Sequence, residues 1–194
     1  MMGKGRLEAF SDGVLAIIIT IMVLELKVPE GHDLSALKPI CAKFIAYVIS
    51  FVYVGIYWNN HHHLMHTVKK VDGWVLWANL HLLFWLSLIP VTTGWIGETE
   101  AATWPTVLYG VMLFMSGVSW LMLQRAILHA SPENKALAKA IGEDWKGKLS
   151  GVGYAVAIAM AFVNPLISIG FYVLIALVWF IPDRRIETAL EADE

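Results

Sequence analysis

Long stretches without Asp, Glu, Lys or Arg run through most of this chain of 194 residues. A helix that crosses a bilayer needs about 20 mainly apolar residues, because the hydrocarbon core is about 30 Å thick and a helix rises about 1.5 Å per residue. Four stretches reach that length and a fifth is shorter: 44–68, 74–97, 101–124 and 149–182, and then 13–24. We therefore predict an all-α membrane protein, with the lipid bilayer as its surroundings.

The composition supports this interpretation and excludes one class of function. Apolar residues make up 58% of the chain and charged residues only 15%, whereas a soluble domain has roughly 45–50% and about 25%. The formal net charge is −2, so the chain lacks the basic excess that neutralises nucleic-acid phosphates. We expect no nucleic-acid partner.

The stretch 149–182 is longer than one helix requires and contains Asn164 and Pro165 near its middle. Because proline removes a helical hydrogen bond, we predict two short helices here. Apolar flanking residues extend the stretch 13–24 to a full span. The prediction is one six-helix transmembrane domain over residues 1–194, with helices at about 7–28, 39–66, 73–96, 103–129, 149–163 and 165–181, a cytoplasmic loop at 131–148 and an acidic tail at 186–194.

The distribution of Lys and Arg predicts the orientation of these helices, since positive residues accumulate on the cytoplasmic side. With six spans, one side holds eleven positive residues and the other holds three. Both termini are then cytoplasmic, in a multi-pass protein of the cell membrane. The eleven are Lys4, Arg6, Lys69, Lys70, Arg125, Lys135, Lys139, Lys146, Lys148, Arg184 and Arg185, and the three are Lys27, Lys38 and Lys43.

The first predicted helix has two distinct faces. At about 100° per residue, one stripe contains Phe10, Gly13, Ile17, Thr20, Ile21 and Leu24. Asp12 points almost the opposite way, and a carboxylate inside a membrane helix needs protein or water around it. Helices two and three carry Asn and His at a similar depth. We expect a polar layer in the cytoplasmic third of the bundle, formed by Arg6, Ser11 and Asp12 with side chains such as Asn60, His61, Asn79 and His81.

Arg6, Phe10, Ser11 and Asp12 together spell R-x-x-x-F-S-D at the start of the first span. This resembles the motif of the transmembrane protein 175 family of potassium channels, in its short bacterial form, and the segment around Trp58, Asn60 and His61 is similar to that family's second helix. The resemblance implies six-helix subunits that assemble as a homotetramer around a pore lined by helix 1. It also implies that potassium is the permeating ion.

The family lacks a carbonyl-lined selectivity filter, and this chain has no T-V-G-Y-G segment. By resemblance, Ile17 forms the narrowest ring of the pore, and Thr20 and Leu24 form further rings. All three lie on the stripe obtained from periodicity, which adds Ile21 as a candidate. Asp12 faces away from that stripe, so we interpret Arg6, Phe10, Ser11 and Asp12 as structural motif residues that do not contact the ion.

Two other functions fit parts of the sequence. His61, His62, His63 and His66 suggest a histidine-rich membrane metalloenzyme of the desaturase type, because His62 and His66 share a helical face. A proton or cation transporter is the second alternative, although no internal repeat between the two halves is apparent. The favoured prediction is a passive potassium channel that is not an enzyme and has neither a cofactor nor a bound metal.

Overall fold

The computed structural model of this chain describes residues 3–29, 31–133, 137, 138, 142 and 144–180. Seven α-helices lie in these described ranges, and a 3₁₀ helix, Leu34–Ile40, precedes the second. They are α1 (Lys4–Leu24), α2 (Cys41–His66), α3 (Gly73–Ser87), α4 (Ile89–Glu98), α5 (Thr103–Ala130), α6 (Trp145–Met160) and α7 (Pro165–Phe180).

Four helical stretches are long and apolar enough to cross a membrane, by length and composition. They are Lys4–Leu24, Leu34–His66, Gly73–Glu98 and Thr103–Ala130. The apolar α7 has 16 residues, which corresponds to about 24 Å at 1.5 Å per residue, and α6 has the same length. The all-helical membrane architecture is therefore clear, whereas six full spans stay a prediction.

The first two helices differ from their predicted bounds for local reasons. α1 ends at Leu24, short of the predicted residue 28, because the polar residues Glu25 and Lys27 follow and Pro29 then prevents a return to helix. The predicted start of the second helix, Pro39, lies inside the 3₁₀ turn, and α2 itself begins at Cys41.

The third predicted helix, 73–96, is two helices in the structure. α3 ends at Ser87, and α4 begins at Ile89 with Pro90 in its first turn. A proline is tolerated there because the first turn has no intrahelical partner for its N–H, but the ring prevents the helix from continuing unbroken through Leu88. The break does not remove the span, since α3 and α4 follow each other as one apolar stretch.

The last two helices form a hairpin. α6 ends at Met160, and Asn164 closes the turn by accepting a hydrogen bond from the Leu166 N–H through its side-chain oxygen (2.9 Å). Pro165 occupies the first position of α7. The loop predicted at 131–148 is described only in part, and the acidic tail at 186–194 lies outside the described residues.

Tyrosine side chains hold α2, α5, α6 and α7 together inside the apolar core. The Tyr53 hydroxyl donates to the carbonyl oxygen of Tyr172 (2.5 Å), and the Tyr172 hydroxyl donates to that of Thr106 (3.1 Å). The Tyr154 hydroxyl lies 3.4 Å from that of Tyr53. In this arrangement α1 packs against α2, α3 and α4, and one side of it remains open.

Candidate functional site

The structure divides α1 into a buried face and an exposed face. Leu7, Leu15, Ile18 and Met22 are at most 3% exposed and pack against the rest of the subunit, in line with Ser11. This spacing of three and four residues is that of one helical face. The opposite face consists of exposed residues: Phe10, Gly13, Ile17, Thr20, Ile21 and Leu24.

Apolar side chains on the exposed face are left uncovered by the described part of the subunit. Ile17 is 58% exposed and Leu24 is 78% exposed, although both lie in the middle or outer half of a membrane-length helix. We refer to the six exposed residues just named as the open stripe. Because its own subunit does not cover the open stripe, this face is available to border lipid, another subunit or a pore.

Thr20 is the polar member of the open stripe. Its hydroxyl donates to the carbonyl oxygen of Ile17 in the preceding turn (2.9 Å). A hydroxyl has one hydrogen and two lone pairs, so the Thr20 oxygen presents acceptor capacity to whatever faces it. A cation on this side of α1 would meet an electronegative oxygen one turn above Ile17.

Ser11 begins a buried chain of hydrogen bonds that joins three helices. Its hydroxyl donates to the Leu7 carbonyl (2.9 Å) and accepts from the Asn79 side-chain N–H of α3 (2.9 Å). The Asn79 side-chain oxygen lies 2.8 Å from His61 Nε2 of α2. Since that oxygen only accepts, His61 carries its proton on Nε2. The polar layer expected from the sequence thus includes Ser11, His61 and Asn79.

Asp12 has a different neighbour from the one expected. Its carboxylate accepts a hydrogen bond from the indole N–H of Trp58 on α2 (3.0 Å), at an exposed position. Asp12 forms no hydrogen bond with the Asn and His side chains of the described residues, because Ser11, one residue earlier, faces them and successive residues differ by about 100°. Arg6 and Phe10 are also exposed and lie outside the buried chain.

Asn60 and His81 lie near the polar layer but are not part of the Ser11 chain. The Asn60 amide N–H donates to the Ile56 carbonyl of its own helix (2.8 Å). His81 Nε2 accepts from the Trp85 indole (3.0 Å), and its Nδ1 lies 3.0 Å from the Ser119 hydroxyl of α5. Both ring nitrogens of His81 are therefore engaged in links within α3 and to α5.

Three further histidines, His62, His63 and His66, form a small cluster at the end of α2. His62 and His66 have their Nε2 atoms 3.1 Å apart, and the His62 ring stacks on Trp58 with 6.4 Å between centroids. In the part of the chain that the structure describes, no group of three or more His, Cys, Asp or Glu side chains converges as a metal site would require. The geometry gives the desaturase interpretation no support.

The sequence gives little indication that Trp58 and Ser119 are hydrogen-bond partners of this site. It points to Trp58 only through the family resemblance, yet the Trp58 indole N–H donates to Asp12. Ser119 on α5 contacts His81 and belongs to no motif. A polar residue in an apolar helix was the available signal for Ser119, since such residues in membrane helices usually bond across to a neighbouring helix.

Comparison with known proteins identifies related chains. Residues 6–90 match the family described as endosomal/lysosomal potassium channel TMEM175. A protein named potassium channel from Chryseobacterium sp. (strain P1-3) is 58% identical over 190 residues, which span 98% of this chain and 99% of that protein. Another protein named potassium channel, from Streptomyces collinus (strain DSM 40733 / Tue 365), is 30% identical and covers 90% of each chain.

A solved structure is similar over nearly the whole length. The crystal structure of a lysosomal potassium-selective channel TMEM175 homolog from Chamaesiphon minutus superposes with a TM-score of 0.80 at 26% sequence identity. The match covers 92% of this chain and 96% of that chain. The helical arrangement described above is therefore shared with that protein over most of its length.

Proposed function

The chain belongs to the endosomal/lysosomal potassium channel TMEM175 family, and from this premise we propose that it conducts potassium ions passively across a membrane through a pore lined by α1. The observation that carries the proposal is the open stripe. A membrane helix with one face packed to within 3% exposure and the other face uncovered is arranged to meet something outside its subunit.

A single α1 cannot enclose a path for ions, so the proposal requires an oligomer. In a homotetramer with α1 nearest the axis, four open stripes would face one another. Cyclic symmetry then repeats each residue as a ring. Four Ile17 side chains would form the narrowest ring, with Thr20, Ile21 and Leu24 toward the outer end.

The chemistry of such a pore follows from the side chains on the open stripe. A ring of Ile17 side chains excludes water when narrow and admits a hydrated path when wide, which gates an ion by dewetting. The Thr20 oxygens, whose hydrogens are used within α1, would replace part of the hydration shell of a passing cation. Glu25, exposed directly beyond Leu24, would raise the cation concentration at the outer mouth.

The membrane placement rests on tryptophans as well as on charge. Trp74 at the start of α3 and Trp95 near the end of α4 are 73% and 42% exposed. At 1.5 Å per residue their separation along the span is about 30 Å, the thickness of a hydrocarbon core. Exposed tryptophans at such positions mark the two interfaces. This supports one membrane crossing by α3 and α4 together. Six spans in the cell membrane with both termini cytoplasmic are proposed from the distribution of Lys and Arg.

The proposed activity is not enzymatic and needs no cofactor or resident metal. Of the alternatives, a transporter would couple potassium to a second ion, whereas a channel passes potassium down its gradient alone. Acidification that drives current in potassium-free solution would instead indicate a proton path.

The test is flux through the purified protein reconstituted in liposomes loaded with potassium, read with a proton-coupled dye in the presence and absence of a protonophore. We expect potassium efflux that exceeds sodium efflux under the same gradient. Ile17→Asn should raise potassium flux and bring sodium flux closer to it, because a polar ring stays hydrated. A barrier lower by about 1.4 kcal/mol would give roughly a tenfold increase.

Val91→Asn provides the matched control. Val91 is a 70% exposed apolar residue on α4 and is not part of the open stripe, so the same polar change there should leave both fluxes unchanged. Unaltered currents in Ile17→Asn would remove α1 from the pore. Absence of flux for either ion from intact oligomeric protein would contradict the channel proposal and direct attention to metal analysis of the histidines.

A further inference from the structure

A cavity that no residue of α1 lines lies near the turn between α4 and α5, in the outer half of the proposed topology. It has a volume of about 300 Å³ and lies between α2 and α7, with α4 and α5 behind it. Its walls are apolar and include Ala46 and Ile49 of α2, Ile96 of α4, and Leu166 and Ile169 of α7. Leu166 is 67% exposed, so the cavity reaches the surface of the bundle.

Hydroxyl groups form the inner floor of this cavity, and their hydrogens can be assigned. Thr93 donates its single hydrogen to the Ile89 carbonyl (2.8 Å). Ser50, 2.7 Å from Thr93, must then donate to Thr93, and Tyr109, 3.0 Å from Ser50, must donate to Ser50. Tyr172, which also lines the cavity, donates to the carbonyl of Thr106.

Every hydroxyl hydrogen on the floor is therefore used within the protein. What these side chains still offer is lone pairs, since each hydroxyl oxygen can accept as well as donate. The floor is consequently a surface of acceptors. A ligand group placed against the floor can be apolar or a donor but not an anion, because another acceptor would meet only like partial charge.

The rim of the cavity carries a carboxylate. Glu100 lines the cavity from the turn between α4 and α5 and is exposed. The neighbouring Glu98 is paired with Lys43 (3.2 Å), whereas Glu100 forms no ion pair with another residue in the described ranges. A carboxylate that is ionised also only accepts hydrogen bonds. Rim and floor thus both disfavour an anion, and the rim carboxylate favours a cation.

The turn fixes the backbone from which this carboxylate projects. Glu100 has φ of 49° and Ala101 has φ of 64°, values that side-chain-bearing residues rarely adopt. The Ala101 N–H bonds to the Ile96 carbonyl (3.0 Å), which closes the end of α4. Glu100 is therefore set at the rim by the helix end and is not carried on a free loop.

We propose that this cavity binds a small cationic amphiphile, with its ammonium group at Glu100 and its apolar body between α2 and α7. The volume is at the lower end of the range for ligand pockets, about 300–1,000 Å³, and apolar cavities of about half this size bind small aromatic molecules. An ammonium group supplies three donors and no acceptor. It would remain near water at the outer end of the bundle while the apolar body is buried.

Three molecules with one apolar body test the proposal. They are 1-adamantylamine, 1-adamantanol and adamantane-1-carboxylate, added to the full-length protein in detergent while its thermal unfolding midpoint is measured. A ligand that binds the folded state raises the midpoint as its concentration increases. We expect the amine to raise it most, the alcohol less and the carboxylate not at all.

Variants locate the binding. Glu100→Gln should weaken amine binding at least tenfold and leave alcohol binding unchanged, whereas Glu98→Gln, the same charge change two positions earlier, should leave both unchanged. Ile49→Phe and Ile169→Phe fill the cavity from opposite walls, and each should abolish binding of the amine and of the alcohol. If one of these variants fails to fold, the other still tests the site.

Equal shifts for the three molecules would overturn the proposal, as would an amine shift that persists in Glu100→Gln and in a filled variant. The measurement needs no ion flux, so its failure is distinct from failure of the channel function.

Discussion

Asn79→Ala tests whether the buried chain of Ser11, Asn79 and His61 holds α1 in place. The substitution leaves the His61 N–H buried without its acceptor, which costs about 1–3 kcal/mol, and removes a bond to Ser11 with a net value of about 0.5–1.5 kcal/mol. Ser11 itself still donates to the Leu7 carbonyl. We expect a loss in the free energy of unfolding of about 2–4 kcal/mol.

Ser11→Ala should cost less, about 1–2 kcal/mol, because it deprives only one Asn79 N–H of its partner. In the Asn79→Ala background the same Ser11→Ala change should cost less than about 0.5 kcal/mol, since the bond is already absent. The difference between the cost of Ser11→Ala in the two backgrounds is the coupling energy of the two residues. Interhelical hydrogen bonds measured in a membrane protein average roughly 0.6 kcal/mol and reach about 1.7 kcal/mol, so we expect a coupling energy of at most about 1.7 kcal/mol.

The assay is equilibrium unfolding in mixed micelles of increasing SDS content, followed by far-ultraviolet circular dichroism at fixed protein concentration. Asn59→Ala is the matched control, because Asn59 lies on α2 and its side chain forms no hydrogen bond with another described residue. Its cost should stay within about 0.5 kcal/mol. If Ser11→Ala costs the same with and without Asn79, the two side chains do not cooperate and the reasoning fails.

Three further substitutions address packing and helix ends. Gly110→Ala should destabilise the subunit by about 1–3 kcal/mol, because a Cβ there would overlap the Tyr172 hydroxyl. The same SDS titration measures this loss, and an unchanged unfolding midpoint would contradict this packing. Glu100→Gly should stabilise by about 1 kcal/mol by relieving the left-handed conformation, with a higher thermal midpoint as the expected result and a lower one as the refutation. Asp72→Ala removes the cap of α3, where the carboxylate accepts from the Val75 N–H, and should cost about 1 kcal/mol; full protection of the first-turn amides from hydrogen exchange would argue against it.

Periodicity is the part of the sequence that predicts structure best. The stripe of Phe10, Ile17, Thr20 and Leu24 is exposed as one face because 3.6 residues per turn fix which side chains align, whatever surrounds the helix. The interruption at Asn164 and Pro165 is of the same kind, since the missing N–H of proline is a local property. Neither feature depends on knowing the neighbouring helices.

Partners across helices were harder to predict. Depth along the bilayer placed Asp12, His61, Asn79 and His81 at one level, but it gives no information on which way each side chain points. Asn79 and His81 are two residues apart and therefore differ by about 200° around α3, so only one of them can face α1. His81 instead faces α5 and Ser119.

The motif at the start of α1 explains why the open stripe is open. Ser11 is fixed to Asn79 of α3 and Asp12 to Trp58 of α2, and the two residues project about 100° apart. Two polar contacts at that angle determine how α1 is rotated about its own axis. Apolar packing alone determines this rotation weakly, because one of Leu, Ile and Val can replace another at small cost in stability. With the rotation fixed near the inner end, Ile17, less than two turns further along, is directed away from its own subunit. Residues that we interpret as structural thus orient the residues of the proposed pore.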